Sequence, residues 1–307
     1  MFIINPDPYS QPCYRIGPFR TSDLSFNHLL PASDLIDEYF HARFAGKNFI
    51  YTENGRRAIN LALGFYKLGK DDIVTILTTS GNFYISGCVT KEIEKFCKWS
   101  RKFEPETKII FVNHEFGYPY PDLHQLKKYN IPIIEDCASS FLSEDKNKAI
   151  GNIGEFVIYS FPKMFPLQVG GLLVSNLDRP IDKTGQADEE ISRYIKNVLS
   201  YYIGSREAII KKRIYNFNYL KEKFESLDLS VRFKDDYGVV PGVFMFKTKY
   251  NKIDLPELKK YFYVHGVQCS VFYGEEAFFI PVHQALNECD LLYFYEVTRS
   301  FTQKTEA

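Results

Sequence analysis

The sequence predicts an α/β fold with a mainly parallel central sheet, and two observations carry this prediction. Short apolar runs alternate with segments of helical periodicity between about Phe49 and Asn176. Strands that alternate with helices form βαβ units, whose strands lie parallel in one sheet. The chain has 307 residues, 45% of them apolar and 25% charged, so it is long enough for two domains with cores of their own.

Each element of the alternating region follows from its local pattern. Apolar runs predict strands at Asn48–Thr52, Ile73–Leu77, Lys108–Val112, Ile131–Ile134, Phe156–Ser160 and Gly171–Ser175. Apolar residues three and four positions apart predict helices over Arg57–Leu68 and Thr90–Arg101. A third helix is predicted over Asp122–Tyr129, where an Asp near the start suits the positive end of the helix dipole.

A polar, proline-containing stretch from Asn176 to Ala187 predicts the boundary between two domains. We expect a large α/β domain over residues 1–185, with an N-terminal arm at 1–48, and a smaller α+β domain over 186–307. The elements predicted in the second domain are a long helix at Asp188–Phe224, a strand at Val243–Lys247, a helix at Leu255–His265 and a strand at Val267–Tyr273.

Composition argues against several classes of function. Lys and Arg number 38, and Asp and Glu also 38, which gives no support for a nucleic-acid surface or a polybasic membrane patch. The most apolar stretch, Phe156–Val174, is interrupted by a lysine and prolines, and the N-terminus lacks the pattern of a signal peptide. The six cysteines include no C-x-x-C pair, so we expect reduced thiols, no metal site and a cytoplasmic location.

Two adjacent acids, Glu135 and Asp136, follow the strand IPII. Ligands of parallel sheets bind at the carboxyl ends of strands, so this is a candidate site. Successive side chains of a strand diverge, so only one acid can face a given pocket and the other faces solvent or a helix N-terminus. A loop acid that caps the next helix is an equally good explanation for either residue. His114, which follows another strand, is expected as a packing residue.

Two further segments offer chemistry, each with an ordinary structural alternative. Lys163 lies in YSFPKMFP, among apolar neighbours that favour an uncharged, nucleophilic amine. The alternative is a lysine whose ammonium reaches water. Gly55 and Arg56 begin a helix, where free N–H groups and a guanidinium bind anions, or where the helix start is simply solvated. The chain contains neither GxGxxG nor a Walker motif, so no standard dinucleotide or P-loop site is indicated.

Taken in order, these segments resemble the DegT/DnrJ/StrS family of sugar aminotransferases. The resemblance is carried by IPIIEDCASSF, IGNIGEFVIYSFPK and GGLLVSN, and upstream by ENGRRAINLALGFYKLG and VNHEFGYP. KRIYNFNYLKEKF and FFIPVH are similar to later segments of the family. The resemblance implies a pyridoxal-phosphate (PLP) enzyme of fold type I, the aspartate-aminotransferase-like fold, with a smaller α+β domain at its C-terminal end.

The resemblance also assigns roles to individual residues. Lys163 would bind PLP covalently and then act as the general base of transamination. Asp136 would pair with the pyridinium nitrogen and keep it protonated. Ser160, together with the helix start at Gly55 and Arg56, would hold the phosphate.

At several positions the chain departs from the family pattern. Lys163 follows Ser160 by three residues where the family usually has five, which a two-residue deletion before the lysine explains. Ser139 stands three residues after the Asp, where the family often has Gln or His, and is our candidate cofactor contact there. The family's ring-stacking aromatic falls in the loop TTSGNFY, where only Phe83 or Tyr84 is available, and we take Phe83.

The implied activity is transfer of an amino group from an amino acid, glutamate, to a keto sugar nucleotide in polysaccharide biosynthesis. The family also implies a homodimer. Two alternatives remain open. One is a PLP-dependent sugar dehydratase, although relatives with that activity usually have His in place of the lysine. The other is a non-catalytic protein that binds PLP or a sugar nucleotide on the same scaffold, because the loop that reaches the partner's cofactor in relatives is not recognisable here.

Overall fold

The computed structural model describes residues 13–147, 150–234, 237–248 and 253–306, with side chains up to residue 303. They form two compact units. The larger unit contains Phe19–Arg206 and Tyr237–Val240, and the smaller unit contains the remaining described residues. This division differs from the predicted boundary after residue 185, because residues 186–206 and the segment 237–240 both belong to the larger unit.

The larger unit is built around a seven-stranded sheet. Its elements are α1 (Thr21–His28), α2 (Leu35–Phe44), β1 (Asn48–Thr52), α3 (Gly55–Gly64), β2 (Ile73–Thr78), α4 (Gly87–Ile93), β3 (Lys98–Ser100), β4 (Thr107–Asn113), β5 (Ile133–Asp136), β6 (Phe156–Ser160), β7 (Gly171–Ser175) and α5 (Glu189–Ile203). The strand order is β1-β7-β6-β5-β4-β2-β3. Strand β7 is antiparallel to both neighbours, whereas the pairs from β6 to β3 are parallel, so the predicted mainly parallel sheet is confirmed.

The central strands are apolar because both faces of the sheet are covered. Phe111 and Ile134 pack in a cluster with Ala58 and Ala62 of α3 on one face. Ile110 packs in a second cluster, on the other face. The apolar runs that predicted these strands are therefore the two buried faces of the sheet.

Two predicted helices of this unit are corrected. Helix α4 ends at Ile93, and Lys98–Ser100 is the edge strand β3, which pairs with β2, instead of the end of a helix over Thr90–Arg101. The free edge of β2 offers backbone hydrogen bonds that override local helical periodicity. The segment before β5 is a 3₁₀ helix over Leu123–Tyr129, whose buried Leu123 and Leu126 are three positions apart, the period of that helix.

The smaller unit has an antiparallel sheet and three helices among its described residues, as predicted for an α+β domain. Its elements are α6 (Arg206–Glu225), β8 (Leu229–Val231), β9 (Phe244–Thr248), α7 (Leu255–Val264), β10 (Ser270–Val271), β11 (Ala277–Ile280) and α8 (Glu288–Glu306). The strand order is β10-β11-β9-β8. Phe244, Phe246, Phe262 and Phe278 are fully buried in one cluster.

Two predictions in this half are also corrected. The helix expected over Asp188–Phe224 is two helices, α5 and α6, which are interrupted at Gly204 and Ser205, where a glycine weakens the helix. The strand expected over Val267–Tyr273 is reduced to Ser270–Val271, because the chain turns into β11 through Gly274 with a φ of 90°. In the part of the chain that the structure describes, no helix has the length and apolar character needed to cross a membrane.

Candidate functional site

The polar residues of interest lie where neighbouring strands of the larger sheet end. Strands β4, β5 and β6 end at Asn113, Asp136 and Ser160. Asn113 is the register partner of Asp136, and Asp136 is in turn paired with Ile158 of β6. Because these strands are parallel, their carboxyl ends meet at one edge of the sheet, where α/β proteins bind ligands.

Asp136 is a buried carboxylate at this edge, with 6% of its surface exposed. The Ala138 N–H donates to its Oδ1 at 3.0 Å, and the Asn113 Nδ2 donates to its Oδ2 at 3.3 Å. Burial raises the pKa of the Asp136 carboxyl, while the Ala138 N–H and electrostatic interaction with His114 and Lys163 oppose the rise without cancelling it. Lys163 is therefore close enough to Asp136 to act on its charge.

Glu135 points away from Asp136, as the alternation of a strand requires. It faces neither solvent nor a helix N-terminus: Gly151, Ile153 and Gly154 donate backbone N–H groups to its carboxylate at 2.8, 2.9 and 2.6 Å. Burial alone would raise the pKa of Glu135, but the hydrogen bond from His114, the electrostatic interaction with that ring, and the Gly151 and Gly154 N–H groups outweigh burial and lower the pKa.

His114 links this carboxylate to the turn after β4. Its Nδ1 accepts the Tyr120 N–H at 3.0 Å, so the ring proton of a neutral His114 lies on Nε2 and is donated to Glu135 Oε2 at 3.1 Å. Cys137 is also near, and potential ligand atoms of the three residues lie within 4.8 Å of one another. The ring nitrogens of His114 and the carboxylate oxygens of Glu135 are already hydrogen-bonded to protein groups. We therefore interpret the cluster as a hydrogen-bond network and not as a candidate metal centre.

Lys163 is the last residue of a 3₁₀ helix, Phe161–Lys163, which follows β6 directly. Its side chain is exposed, whereas Phe161, Met164 and Phe165 are buried. Of the two alternatives for this residue, the structure agrees with a lysine that reaches water, because its neighbours pack into the core and leave Lys163 exposed at the edge of the sheet.

The segment after Lys163 is fixed at three points. Asn27 of α1 donates from Nδ2 to the Pro166 carbonyl at 2.7 Å. The Tyr194 hydroxyl of α5 donates to Gln168 Oε1 at 3.1 Å. The Gly170 N–H donates to the backbone carbonyl of residue 53 at 2.6 Å. These anchors hold the loop that carries the lysine against the rest of the unit.

The start of α3 lies against the end of β6. The Asn54 side chain caps the helix by accepting the Arg57 N–H at 3.0 Å. A Cβ added to Gly55 would lie 3.2 Å from the Ser160 Cβ, so glycine permits the close approach of the two elements. Arg56 is exposed beside this helix start. The structure therefore brings together Ser160, Gly55 and Arg56 at the positive end of a helix.

Ser139 and Phe83 lie in loops at the same edge of the sheet. Ser139 is half-buried in the turn after β5. Phe83 is 72% exposed in the loop after β2, two strands away from β5. The Thr79 hydroxyl fastens this loop by donating to the Tyr118 carbonyl at 2.7 Å and accepting the Glu115 N–H at 3.0 Å. The cofactor contacts expected of Ser139 and Phe83 stay predictions.

Sequence reasoning missed Asn113 and Asn27. Asn113 carried a readable signal, because a polar residue at the end of an apolar strand next to an acid-bearing strand lies at the ligand edge. Asn27 carried none, because its contact with Pro166 joins residues far apart in the chain.

Residues 96–187 match the model of the DegT/DnrJ/EryC1/StrS aminotransferase family. GDP-perosamine synthase of Escherichia coli O157:H7 is 32% identical over 111 residues, which are 33% of this chain and 30% of that protein. The dTDP-3-amino-3,6-dideoxy-alpha-D-galactopyranose transaminase of Aneurinibacillus thermoaerophilus is 28% identical over 145 residues, 42% of this chain and 40% of that protein. The matched segments thus span less than half of either relative.

The likeness in three dimensions extends over nearly the whole chain. The crystal structure of the aminotransferase TlmJ from Streptoalloteichus hindustanus matches with a TM-score of 0.72 at 15% identity, over 93% of this chain and 95% of that one. This match shows the fold, the aspartate-aminotransferase-like fold expected from the sequence. Asp136 and Lys163 both lie within residues 96–187, so the part of the chain that holds the candidate site is similar to the DegT/DnrJ/EryC1/StrS aminotransferase family.

Proposed function

We propose that this chain binds pyridoxal 5′-phosphate at the carboxyl edge of the larger sheet and transfers an amino group to a keto sugar. One observation carries the proposal. The buried carboxylate of Asp136 and the exposed Lys163 belong to adjoining strand ends, close enough for the lysine charge to act on the acid. The family match over residues 96–187 supports the same activity.

The side chains at this edge fit PLP group by group. A buried carboxylate suits a protonated ring nitrogen, an exposed lysine suits an aldehyde, and a helix start with Arg56 beside Ser160 suits a phosphate. The glycine at position 55 supports the last assignment, because a Cβ there would lie 3.2 Å from the Ser160 Cβ and fill the cradle between them.

Each residue then has a chemical task. PLP, when bound, supplies an electron sink that makes the proton beside the amino group of the donor removable. Asp136 keeps the ring nitrogen protonated. Lys163 would hold the cofactor at its aldehyde group and would supply the base that carries the proton. Ser160, Gly55 and Arg56 hold the phosphate, and Ser139 and Phe83 contact the ring.

The proposed substrates are an amino acid, glutamate, and a keto sugar linked to a nucleoside diphosphate. The names of the two curated relatives refer to GDP-linked and dTDP-linked sugars, so the nucleoside diphosphate is the feature they share. In the overall reaction the donor becomes a 2-oxo acid and the keto group of the sugar becomes an amine. We further propose a homodimer, which light scattering of the purified protein tests.

The test is the visible spectrum of the protein mixed with PLP, before and after borohydride reduction, followed by peptide mapping. Reduction is expected to attach the cofactor to Lys163, and glutamate is expected to convert bound PLP to the amine form in a single turnover. Lys163→Ala should abolish the attachment, whereas Lys128→Ala, a lysine on the 3₁₀ helix before β5, should not. Attachment at another lysine, or none, would contradict the proposal.

Lys163 also separates this activity from PLP-dependent dehydration of sugars, since relatives with that activity usually have His at this position. Product analysis with keto sugar nucleotides distinguishes the two, because dehydration yields a product whose sugar ring carries no new amino group. A protein that binds PLP but leaves it unchanged with glutamate would instead be a binding or regulatory protein.

A further inference from the structure

We propose that Asn113 is a positioning residue for Asp136, whose carboxylate it orients and keeps ionised for the ring nitrogen of the cofactor. The part that concerns the cofactor rests on the proposed function. The part that concerns the carboxylate itself does not, because it can be measured on the protein without PLP.

The geometry places two donors from two different segments on one carboxylate. Asn113 ends β4 and is the register partner of Asp136 on β5. Its Nδ2 lies 3.3 Å from Oδ2, while the Ala138 N–H lies 3.0 Å from Oδ1. With each oxygen held from a different side, rotation of the carboxylate about its last bond would break both hydrogen bonds.

The orientation of the Asn113 amide follows from the chemistry of its partner. An ionised carboxylate only accepts hydrogen bonds, so the NH₂ end of the amide must face it, and a flipped amide would set oxygen against oxygen. The amide has a second N–H and a carbonyl oxygen besides the donor used here. Because Asn113 is only half-buried, its second N–H and its carbonyl oxygen can be hydrated at the edge of the sheet.

The burial of Asp136 makes this donor consequential. Only 6% of Asp136 is exposed, and loss of water favours the neutral acid. The Ala138 N–H opposes that tendency, as do the electrostatic interactions with His114, which follows β4, and with Lys163, which follows β6. The Asn113 amide donates to the same carboxylate, and a hydrogen bond to the charged form acts in the same direction. A neutral Asp136 would offer no negative charge to a protonated ring nitrogen. Asn113 therefore supports the ionised state of Asp136, which the proposed site requires.

The first test follows the Asp136 carboxyl by carbon NMR in the full-length protein without PLP. The resonance is assigned by its loss in Asp136→Asn. In Asn113→Leu, which keeps the side-chain volume and removes the donor, the pKa of Asp136 should rise by about one pH unit. Asn60→Leu is the matched control, because Asn60 donates to a different carboxylate, Glu92, at 3.4 Å in the same unit. An unchanged Asp136 titration in folded Asn113→Leu would overturn the inference.

The second test compares PLP with an analogue in which carbon replaces the ring nitrogen. Asn113→Leu should weaken PLP binding several-fold and leave the analogue's affinity unchanged, because only the nitrogen needs the ionised carboxylate. An equal loss for both ligands would mean that Asn113 is only structural and would overturn the inference. If the unmodified protein binds neither ligand, the proposed function fails, and the NMR titration still decides whether Asn113 keeps Asp136 ionised.

Discussion

Glu135 and Asp136 are adjacent residues whose pKa values shift in opposite directions. Glu135 receives three backbone N–H groups and His114, which together lower its pKa despite burial. Asp136 receives one backbone N–H and one side-chain amide, and burial raises its pKa. The acid with saturated oxygens is a structural anchor. Asp136 has fewer donors, so its oxygens can still accept a hydrogen bond from a ligand. The different surroundings thus give the two carboxylates different roles.

Glu135→Gln is predicted to destabilise the protein by about 3 kcal/mol at pH 7. The NH₂ group of the glutamine would face backbone N–H groups, which are donors themselves, and the buried pair with His114 would be broken. The pKa of Glu135 is lowered in the folded state, so its contribution is complete above about pH 4.3, the usual value for an unfolded Glu. It is lost as the pH falls through the lower, folded pKa. Urea unfolding at pH 7, 4 and 3 measures the difference.

The difference between the variant and the unmodified protein should therefore shrink as the pH falls. Glu144→Gln, at an exposed acid, serves as the control and should be near neutral at every pH. A gap between Glu135→Gln and the unmodified protein that stays constant down to pH 3 would show that the ionised carboxylate is not the stabilising form.

At the scale of single residues, the candidate site residues could be named from the sequence, but the residues that hydrogen-bond to them could not. The resemblance to the family placed Asp136, Ser160 and Lys163 in one candidate site, and the strand pattern alone marked only the end of β5 as a candidate. Asn113 was missed because the pairing of two strands, and hence which residue faces Asp136, depends on register. The partners of Glu135 lie in a loop that has no periodic signal.

Among the elements, helix α1 anchors a loop that is distant in sequence, because Asn27 donates a hydrogen bond to the Pro166 carbonyl. Asn27→Ala leaves that buried carbonyl without its donor and should destabilise the protein by about 1–2 kcal/mol. Amide hydrogen exchange should quicken in residues 164–169, the loop after Lys163. Asn48→Ala removes a similar contact from a more exposed position, to the Arg179 carbonyl at 3.2 Å, and should leave that loop unchanged.

Uniform acceleration of exchange across the sheet in Asn27→Ala would contradict a local anchor. In that case α1 would contribute to overall stability only, and the position of Lys163 would have to be fixed by the contacts of Tyr194 and Gly170 alone.

The end of β1 and the start of β7 approach so closely that only glycine fits. A Cβ on Gly171 would lie 2.6 Å from Thr52 Oγ1 and 2.7 Å from the carbonyl carbon of Asn54, the residue that caps α3. Gly171→Ala should therefore cost about 2 kcal/mol by overpacking and weaken phosphate binding at the helix start. Calorimetry with PLP and thermal unfolding measure the two effects.

Gly204→Ala is the comparison for this prediction, because nothing lies within 4 Å of a Cβ there. It should be neutral or slightly stabilising. If Gly171→Ala were as well tolerated as Gly204→Ala, the close approach of β7 to the α3 turn would not determine the geometry of the site.

Helices and strands could be predicted where the apolar pattern was long or where the residues of the element were deeply buried. The strands β1, β6 and β7 were expected with the bounds they have, since apolar runs between turns leave little choice. Strand β3 lies where the sequence predicts the end of a helix, because its three residues are stabilised by their pairing with β2 and not by their own periodicity. Helices α1 and α2 were not predicted at all; their sequences mix polar and apolar residues without a clean stripe.

For the whole molecule, the alternation of strands and helices was enough to predict the fold class, but not which segments share a core. Residues 237–240 return to the larger unit, where the Val240 N–H donates to Ser143 Oγ at 3.0 Å and the Glu144 N–H donates to the Gly238 carbonyl at 2.8 Å. No local pattern announces such a return. Helix α5 also belongs to this unit, although the polar stretch before it has the composition of a linker.

A pair of fragments tests this division, one ending at Gly185 and one at Arg206. The shorter fragment lacks α5, whose Ser200 hydroxyl accepts the Ile36 N–H at 3.0 Å and whose buried face packs on α2. We expect it to lose cooperative unfolding in urea, because α2 loses its cover. The longer fragment should unfold cooperatively, at a lower urea concentration than the full chain, since residues 237–240 are missing. Identical unfolding curves for the two fragments would favour a boundary at 185, because α5 would then contribute nothing to the larger core.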